Sequence, residues 1–342
     1  MRAPSLLRLG LLALLWGSNF LLIAIALDGF NPLQIMAGRL ALGAAVLVII
    51  LLVGGQRLPR ELAVWKHLLF AAVVGNVVPY YLFAWAEQTV ASSLAGVLNA
   101  TTPLFTLAIA VASRQESRVS IDRVAGLAIG FVGVVIIMAP WQAGALGTLA
   151  GQLGVLAASA CYGVVFVYQR RFLTGRGTPP LVLAAGQMVA ATLVVALATP
   201  AIVATPVDWT LTTLLSLVFL GTLGTGVAYA INFRLIQDEG ATNASTVTYL
   251  LPVVAVVLGA LFLAEQITAN VVIGTLVVLV GIALAQQRLR LPGRKADATD
   301  ASSVSPVAPE GLTPGGGAHP DQSGDHDVVD AGKPGRGTRT GR

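Results

Sequence analysis

Ten runs of about 20 mostly apolar residues, separated by short polar links, follow one another along the chain. An α-helix needs about 20 residues to cross the hydrocarbon core of a bilayer. Backbone amides inside hydrocarbon must bond within their own segment, so continuous spans of this length are helices. The runs cover residues 6–27, 32–54, 66–87, 91–113, 121–139, 149–172, 180–204, 209–235, 242–263 and 270–290. The sequence therefore predicts an all-α integral membrane protein with ten transmembrane helices.

The composition excludes a water-soluble globule. Of the 342 residues, 56% are hydrophobic and 11% are charged, whereas about 25% are charged in soluble domains. The net charge of +5 does not indicate a nucleic-acid partner, because most Lys and Arg residues lie between apolar runs. The run from Leu9 to Leu27 is longer than the apolar part of a cleaved signal peptide, and we interpret it as the first helix. The partner that this composition predicts is the lipid bilayer.

Lys and Arg occur in only one of the two alternating sets of links, from Arg2 and Arg8 at the start to Arg294 and Lys295 after the last run. The charged residues of the other set are acidic: Asp28, Glu87, Asp208 and Glu265. Basic links stay in the cytoplasm. This pattern predicts a multi-pass protein of the plasma (inner) membrane with both termini cytoplasmic.

The composition changes after the last apolar run. Residues 293–342 contain no aromatic residue and many Gly, Pro, Asp and Ser residues. Such a segment cannot bury enough apolar surface to offset the entropy lost on ordering. We expect residues 293–342 to form a disordered cytoplasmic tail.

The two halves of the apolar region match each other at an offset of 149 residues. The matched pairs include Tyr80 with Tyr229, Pro103 with Pro252, and Glu116 with Glu265. Residues 6–139 and 149–290 each hold five predicted helices, and this odd number turns the second half upside down relative to the first. Inverted repeats are common in secondary transporters, where the substrate site lies at the repeat interface near the midplane. The sequence thus predicts two inverted five-helix repeats.

Arg39 lies within the second apolar run, where a charge costs about 2.5–3.5 kcal/mol on insertion scales. A guanidinium group binds carboxylate through two parallel hydrogen bonds, so Arg39 is a candidate substrate anchor. The alternative is a packing role, in which Arg39 pairs with carbonyls or polar side chains of neighbouring helices.

Further polar and aromatic side chains lie on helix faces that are otherwise apolar. They are Trp16, Asn19, Asn76, Tyr80, Asn99, Thr102, Thr225, Tyr229, Asn232 and Tyr249. As a set they predict a substrate pathway, although each one alone is also typical of a hydrogen bond between helices.

Pro103 and Pro252 each remove a backbone hydrogen bond, so they predict kinks that act as hinges or as fixed bends. Glu116 and Glu265 lie in links, where capping of a helix start or pairing with a basic group is expected. No Asp or Glu lies near the middle of a predicted span. The sequence therefore leaves the driving force of transport open.

These motifs together resemble the drug/metabolite transporter superfamily in its EamA-type branch. The resemblance covers about residues 6–290 and depends on Trp16-Gly17, Arg39, the two helix prolines, the two Glu-containing links and paired glycines in the last helix of each half. It implies ten helices in two repeats and a secondary transporter that exports amino acids or related metabolites by alternating access. Tyr162 stands where the repeat would place a second Trp16, and Gln187 stands opposite Arg39, so substrate identity does not transfer.

Other functions remain as alternatives. The same fold can carry sugars, nucleotide sugars or drug-like compounds, and a passive subunit of a larger complex is the alternative outside transport. An enzyme is not expected, because the three histidines, His67, His319 and His326, lie at a helix end or in the tail. With a single cysteine, Cys161, the sequence predicts no metal site and no cofactor. It leaves open whether two copies form a homodimer.

Overall fold

The computed structural model describes residues 3–115, 120–139, 147–198, 204–240 and 246–286, together with Pro200, Ile202 and Ala244. Across these residues the regular structure is helical, apart from one isolated bridge residue at Gly147. Within them, seven helices are long and apolar enough to cross a membrane, and three more apolar helices have 17 residues each. The expected all-helical, membrane-type chain is confirmed. Glu116 and the predicted tail lie outside the described residues.

The helices follow the predicted runs closely. In chain order they are α1 (Ala3–Ala26), α2 (Pro32–Val53), α3 (Leu62–Ala86), α4 (Ser92–Ala112), α5 (Ile121–Met138), α6 (Leu149–Phe172), α7 (Pro180–Ala196), α8 (Leu211–Glu239), α9 (Val247–Leu263) and α10 (Ala269–Ala285).

Several helix boundaries differ from the prediction. The prediction of 180–204 for the seventh run is too long, because Pro200 cannot continue a helix and α7 ends at Ala196. The prediction of 209–235 for the eighth run is too short, because α8 continues to Glu239 and ends before Gly240, whose φ is 82°. The third ends at Ala86, which places Glu87 in the link to α4.

Polar side chains satisfy the free N–H groups where several helices begin. At the start of α2, the Asn31 side chain accepts a hydrogen bond from the Gln34 N–H, and the Gln34 side chain accepts one from the Asn31 N–H, each at 2.9 Å. Thr210 and Thr213 form the same reciprocal pair at the start of α8. The first turn of a helix leaves its N–H groups without backbone partners. These caps therefore satisfy the first N–H groups of α2 and α8, so that each helix can begin at the edge of an apolar environment.

Two helices contain a stretch of π-helix in their middle. It covers Val73–Val77 in α3 and Thr222–Val227 in α8, and Val73 and Thr222 are 149 residues apart. A π turn inserts one residue into the helix and leaves carbonyl oxygens without their usual N–H partner. Each π segment carries one fully buried polar side chain, Asn76 in α3 and Thr225 in α8.

The proline predicted to kink α4 lies directly after an interruption of that helix. The helical hydrogen bonding of α4 breaks at Ala100 and Thr101, and Pro103 lies in the first turn of the part that follows. Since proline has no N–H, the carbonyl four residues earlier loses its partner. The Thr102 hydroxyl donates to that carbonyl, of Asn99, at 2.8 Å. Pro252, by contrast, lies inside a continuous α9.

The last helix of each predicted half packs against the other through glycines. An added Cβ at Gly133 would lie 2.7 Å from the backbone nitrogen of Val278, and one at Gly281 would lie 2.5 Å from that of Gly130. Gly126 similarly meets the backbone of Ala285. Small residues allow transmembrane helices to approach this closely. The α5–α10 contact lies apart from the cavity described below.

Candidate substrate cavity

A cavity of about 780 Å³ lies between the helices. The predicted pathway residues on its wall are Trp16, Asn19, Arg39, Tyr80, Asn99, Thr102, Tyr229 and Asn232. The cavity reaches the link between α6 and α7, where Thr174 and Thr178 line it. Eight helices and this link thus enclose a space large enough for a small organic molecule.

Arg39 is the charged side chain of the cavity wall among the described residues. Its Nε donates a hydrogen bond of 2.9 Å to Oγ1 of Thr225, and its guanidinium carbon lies 3.8 Å from the centre of the Tyr80 ring. These two contacts fix one edge and one face of the guanidinium group. In the described part of the chain, no hydrogen bond occupies its two terminal amino groups.

The π segment of α8 holds Thr225 in place for this contact. Thr225 Oγ1 also donates to the Leu220 carbonyl at 3.0 Å, and the Asn19 side chain donates to the Gly224 carbonyl at 3.3 Å. Both bonds satisfy carbonyls in or just before the π segment. Helices α1, α2 and α8 are thereby joined at the level of Arg39.

The π segment of α3 is joined in a similar way to α7. The Gln187 side chain donates to the Ala71 carbonyl at 3.2 Å and to the Asn76 side chain. Asn76 Nδ2 in turn lies 3.3 Å from the hydroxyl oxygen of Tyr80, and Gln169 donates to Gln187 at 2.6 Å. This chain of hydrogen bonds supports Tyr80, the ring against which Arg39 lies.

Three predicted pathway residues do not lie on the cavity wall. Asn76 and Thr225 are fully buried behind it, where they hold Tyr80 and Arg39. Tyr249 donates from its hydroxyl group to the Gln286 side chain at 2.8 Å, outside the cavity.

The sequence prediction omitted several polar wall residues, among them Tyr162 and Gln187. The repeat contained a signal for both, since they stand opposite Trp16 and Arg39 in the second half.

Aromatic and aliphatic side chains make up most of the remaining wall. Phe20 and Phe83 pack edge to face with ring centres 5.6 Å apart, and Trp16 packs in the same way on Tyr229 at 6.2 Å. The cavity therefore combines one cation, a few hydrogen-bonding groups and extended apolar surface. This combination suits an amphipathic anion or zwitterion.

The end of the bundle away from the α6–α7 link is closed by contacts between links. The Asp208 N–H donates to the Gly29 carbonyl at 3.0 Å, and the rings of Phe30 and Trp209 pack edge to face at 5.3 Å. The hydroxyl groups of Thr89 and Thr148 lie 2.8 Å apart at the same end.

Glu265 closes the same end on the side of α4. Its carboxylate oxygens accept hydrogen bonds from the Ser92 and Ser93 N–H groups, at 2.8 and 2.9 Å. These N–H groups belong to the start of α4, whereas Glu265 lies in the link between α9 and α10. Gly17 of α1 allows close packing against α9, because a Cβ there would lie 2.6 Å from the Val254 side chain.

Comparison with known proteins gives consistent results over nearly all of the described chain. The EamA-like transporter family profile matches residues 5–139 and 149–286. The uncharacterized transporter YoaV of Bacillus subtilis is 26% identical over 271 residues, which are 79% of this chain and 92% of YoaV. The uncharacterized inner membrane transporter YedA of Escherichia coli K12 is 29% identical over 265 residues, 72% of this chain and 79% of YedA.

The fold is similar to that of a protein whose crystal structure has been solved. That structure aligns with a TM-score of 0.60 and 23% identity, and the alignment covers 84% of this chain and 98% of that one.

Proposed function

Because the chain belongs to the EamA-like transporter family, we propose that it is a secondary transporter of small carboxylate-bearing metabolites, amino acids or their relatives, and that it exports them across the plasma membrane. The general function, transport by a multi-pass membrane protein, follows from the family. The substrate class is our proposal, and the observation that carries it is the guanidinium group of Arg39 on the wall of an otherwise mainly apolar cavity.

The contacts of Arg39 favour an anionic group as its ligand. Arg39 Nε donates to Thr225, and the Tyr80 ring covers one face of the guanidinium group. The two terminal amino groups therefore form the edge that is available to a ligand. A carboxylate accepts two parallel hydrogen bonds from guanidinium, with geometric specificity as well as energy. The aromatic wall around Tyr229 and Phe83 gives the rest of the molecule an apolar surface.

The proposal includes ten spans arranged as two inverted repeats, 6–139 and 149–290. Three findings support it: the two segments matched by the family profile, the two π segments at equivalent positions, and the junction of alternate links at one end of the bundle. The three helices of 17 residues are about 26 Å long at 1.5 Å per residue. That length is at the lower limit for a span. Exchange of conformation between such halves would give alternating access.

The direction of transport is inferred from charge and shape. The cavity reaches the α6–α7 link, which contains Arg176 and directly follows Arg171 in the last turn of α6, and basic links are cytoplasmic. The opposite end, around Glu265 and Trp209, is closed. In this orientation both termini are cytoplasmic and the cavity takes up its substrate from the cytoplasm, as export requires. The similarity to YedA, an inner membrane transporter of Escherichia coli, supports the same membrane for this chain.

Export is tested by comparing the culture media of cells that produce the intact protein, Arg39→Ala or Arg57→Ala at equal levels in the membrane. Arg57 is an exposed residue in the α2–α3 link and is the matched control for loss of an arginine. We expect a few amino acids or related carboxylates, measured by mass spectrometry, to accumulate with the intact protein and with Arg57→Ala only. Equal accumulation with Arg39→Ala would show that Arg39 does not bind the substrate.

A further inference from the structure

Glu87 is a buried acid that the proposed transport cavity does not use. It lies directly after α3 and is only 8% exposed. Among the described residues, no group donates a hydrogen bond to either of its carboxylate oxygens. Burial of an ionised carboxylate without hydrogen bonds is very unfavourable, and such a group takes up a proton instead.

Glu265 is in the opposite situation at the same end of the bundle. Its two oxygens accept the Ser92 and Ser93 N–H groups at the start of α4. Hydrogen bonds from N–H groups and the positive end of a helix dipole both favour the ionised form of a carboxyl. When two carboxyl groups interact in a site of low dielectric constant, the second ionises with difficulty. The Glu265 oxygens therefore have the hydrogen-bond partners that the Glu87 oxygens lack.

Among the ionisable groups on the elements around Glu87, the cation that acts on its carboxyl is Arg39. Helix α3 packs against α1, α2, α6 and α7, and α4 packs against α1, α6 and α9. Of the ionisable groups on these elements and their links, two act on Glu87. Burial is the largest effect and raises the pKa of the Glu87 carboxyl well above its usual range, the Glu265 charge raises it further, and the Arg39 charge lowers it. The first two outweigh the third.

We propose that Glu87 is a proton-binding site, occupied while Glu265 holds the α9–α10 link against the start of α4. The proton adds to one carboxylate oxygen of Glu87 and the group becomes a neutral acid. When this end opens, water reaches the carboxyl, its pKa falls towards the usual value of about 4.3, and the proton is released. The closed conformer thus has the higher proton affinity, and a lower pH stabilises it.

This inference deepens the proposed function, because proton binding at Glu87 favours the closed conformer and so makes the alternation between the closed and open conformers depend on pH. Glu87 lies next to the contacts that close the cavity, so its protonation needs no carboxyl near the middle of a span. The existence of the site does not depend on transport, and it is tested without a substrate.

The test is infrared spectroscopy of the intact protein in lipid vesicles, titrated with pH. At about pH 7 a neutral carboxylic acid shows its own C=O stretching band, whereas an exposed glutamate is ionised. We expect this band in the intact protein and in Glu61→Gln, whose replaced side chain is exposed, and we expect its loss in Glu87→Gln. In Glu265→Gln the band should titrate away at a lower pH, because the neighbouring negative charge is gone.

Two results would overturn the proposal: a band at about pH 7 that persists in Glu87→Gln, or no such band in the intact protein. If Glu87→Gln fails to insert into the membrane, the Glu265→Gln variant still provides a test. An unchanged titration midpoint of the band in Glu265→Gln would also contradict the proposal. A positive result with no metabolite export in the Arg39 comparison would leave the proton site standing and refute the exporter. Metabolite export without the infrared band would support the exporter and refute the proton-binding site.

Discussion

Replacement of Glu265 by Ala should open the end of the cavity that the structure shows closed. The carboxylate makes two hydrogen bonds to backbone N–H groups, at 2.8 and 2.9 Å. A hydrogen bond to a charged group contributes about 1.5–3 kcal/mol, so loss of both weakens the closed conformer by about 3–6 kcal/mol. Since about 1.4 kcal/mol corresponds to a factor of ten, the lower value already shifts the closed–open equilibrium by about 100-fold.

Glu265→Gln separates the effect of charge from that of shape. The amide has nearly the same size and keeps one oxygen acceptor, but it lacks the charge that strengthens the bonds to Ser92 and Ser93. We expect a shift of about tenfold for this variant, between the intact protein and Glu265→Ala.

Access to the cavity from outside the cell can be measured by thiol labelling. In a Cys161→Ser background, which has no other cysteine, Thr102→Cys places a single thiol on the cavity wall. A membrane-impermeant maleimide added to intact cells should label this thiol much faster in the Glu265→Ala variant, and at the original rate in a Glu61→Ala control. If Glu265→Ala is present in the membrane at normal levels and labels no faster, the carboxylate does not hold this end closed.

Two further predictions concern helix packing and the support of Arg39. Gly281→Ala should lower the melting temperature by the equivalent of about 1–3 kcal/mol, because the new methyl group meets the backbone of Gly130, whereas Gly10→Ala, with open space around it, should not destabilise the protein. A comparable melting temperature for both variants would refute the close α5–α10 contact. Thr225→Val removes the acceptor for Arg39 Nε and should raise the substrate KM about 10-fold or more in the export assay, whereas Thr225→Ser retains the hydroxyl and should transport normally. Equal KM values for these two variants would show that Thr225 does not position the guanidinium group.

The helices and much of the cavity could be predicted because membrane constraints act directly on sequence. Hydrocarbon requires long apolar runs, and links require polar or helix-breaking residues, so most helix ends are visible in the chain. Arg39 and Asn19 could be identified because a polar side chain is rare in such a run. Both lie on the cavity wall.

The remaining features depend on tertiary contacts that a single sequence does not contain. Nothing in the local residues marks the π segments of α3 and α8, and the identity of the helix partners decides that Asn76 and Thr225 lie behind the wall. Tyr249 was assigned to the pathway from its position before Pro252, but the proximity of Gln286 determines its orientation. The burial of Glu87 likewise could not be predicted from its place in a link.

The glycine contact between α5 and α10 has a consequence for how this protein can evolve. At Gly133 and Gly281 any other residue would place atoms against a neighbouring backbone, so single substitutions there meet an immediate fitness barrier. The wall around Tyr229 and Phe83 has space beside it, and substitutions there change the shape of the cavity without moving the frame. Descendants of this gene can therefore diverge in cavity shape while they inherit the same contact between α5 and α10.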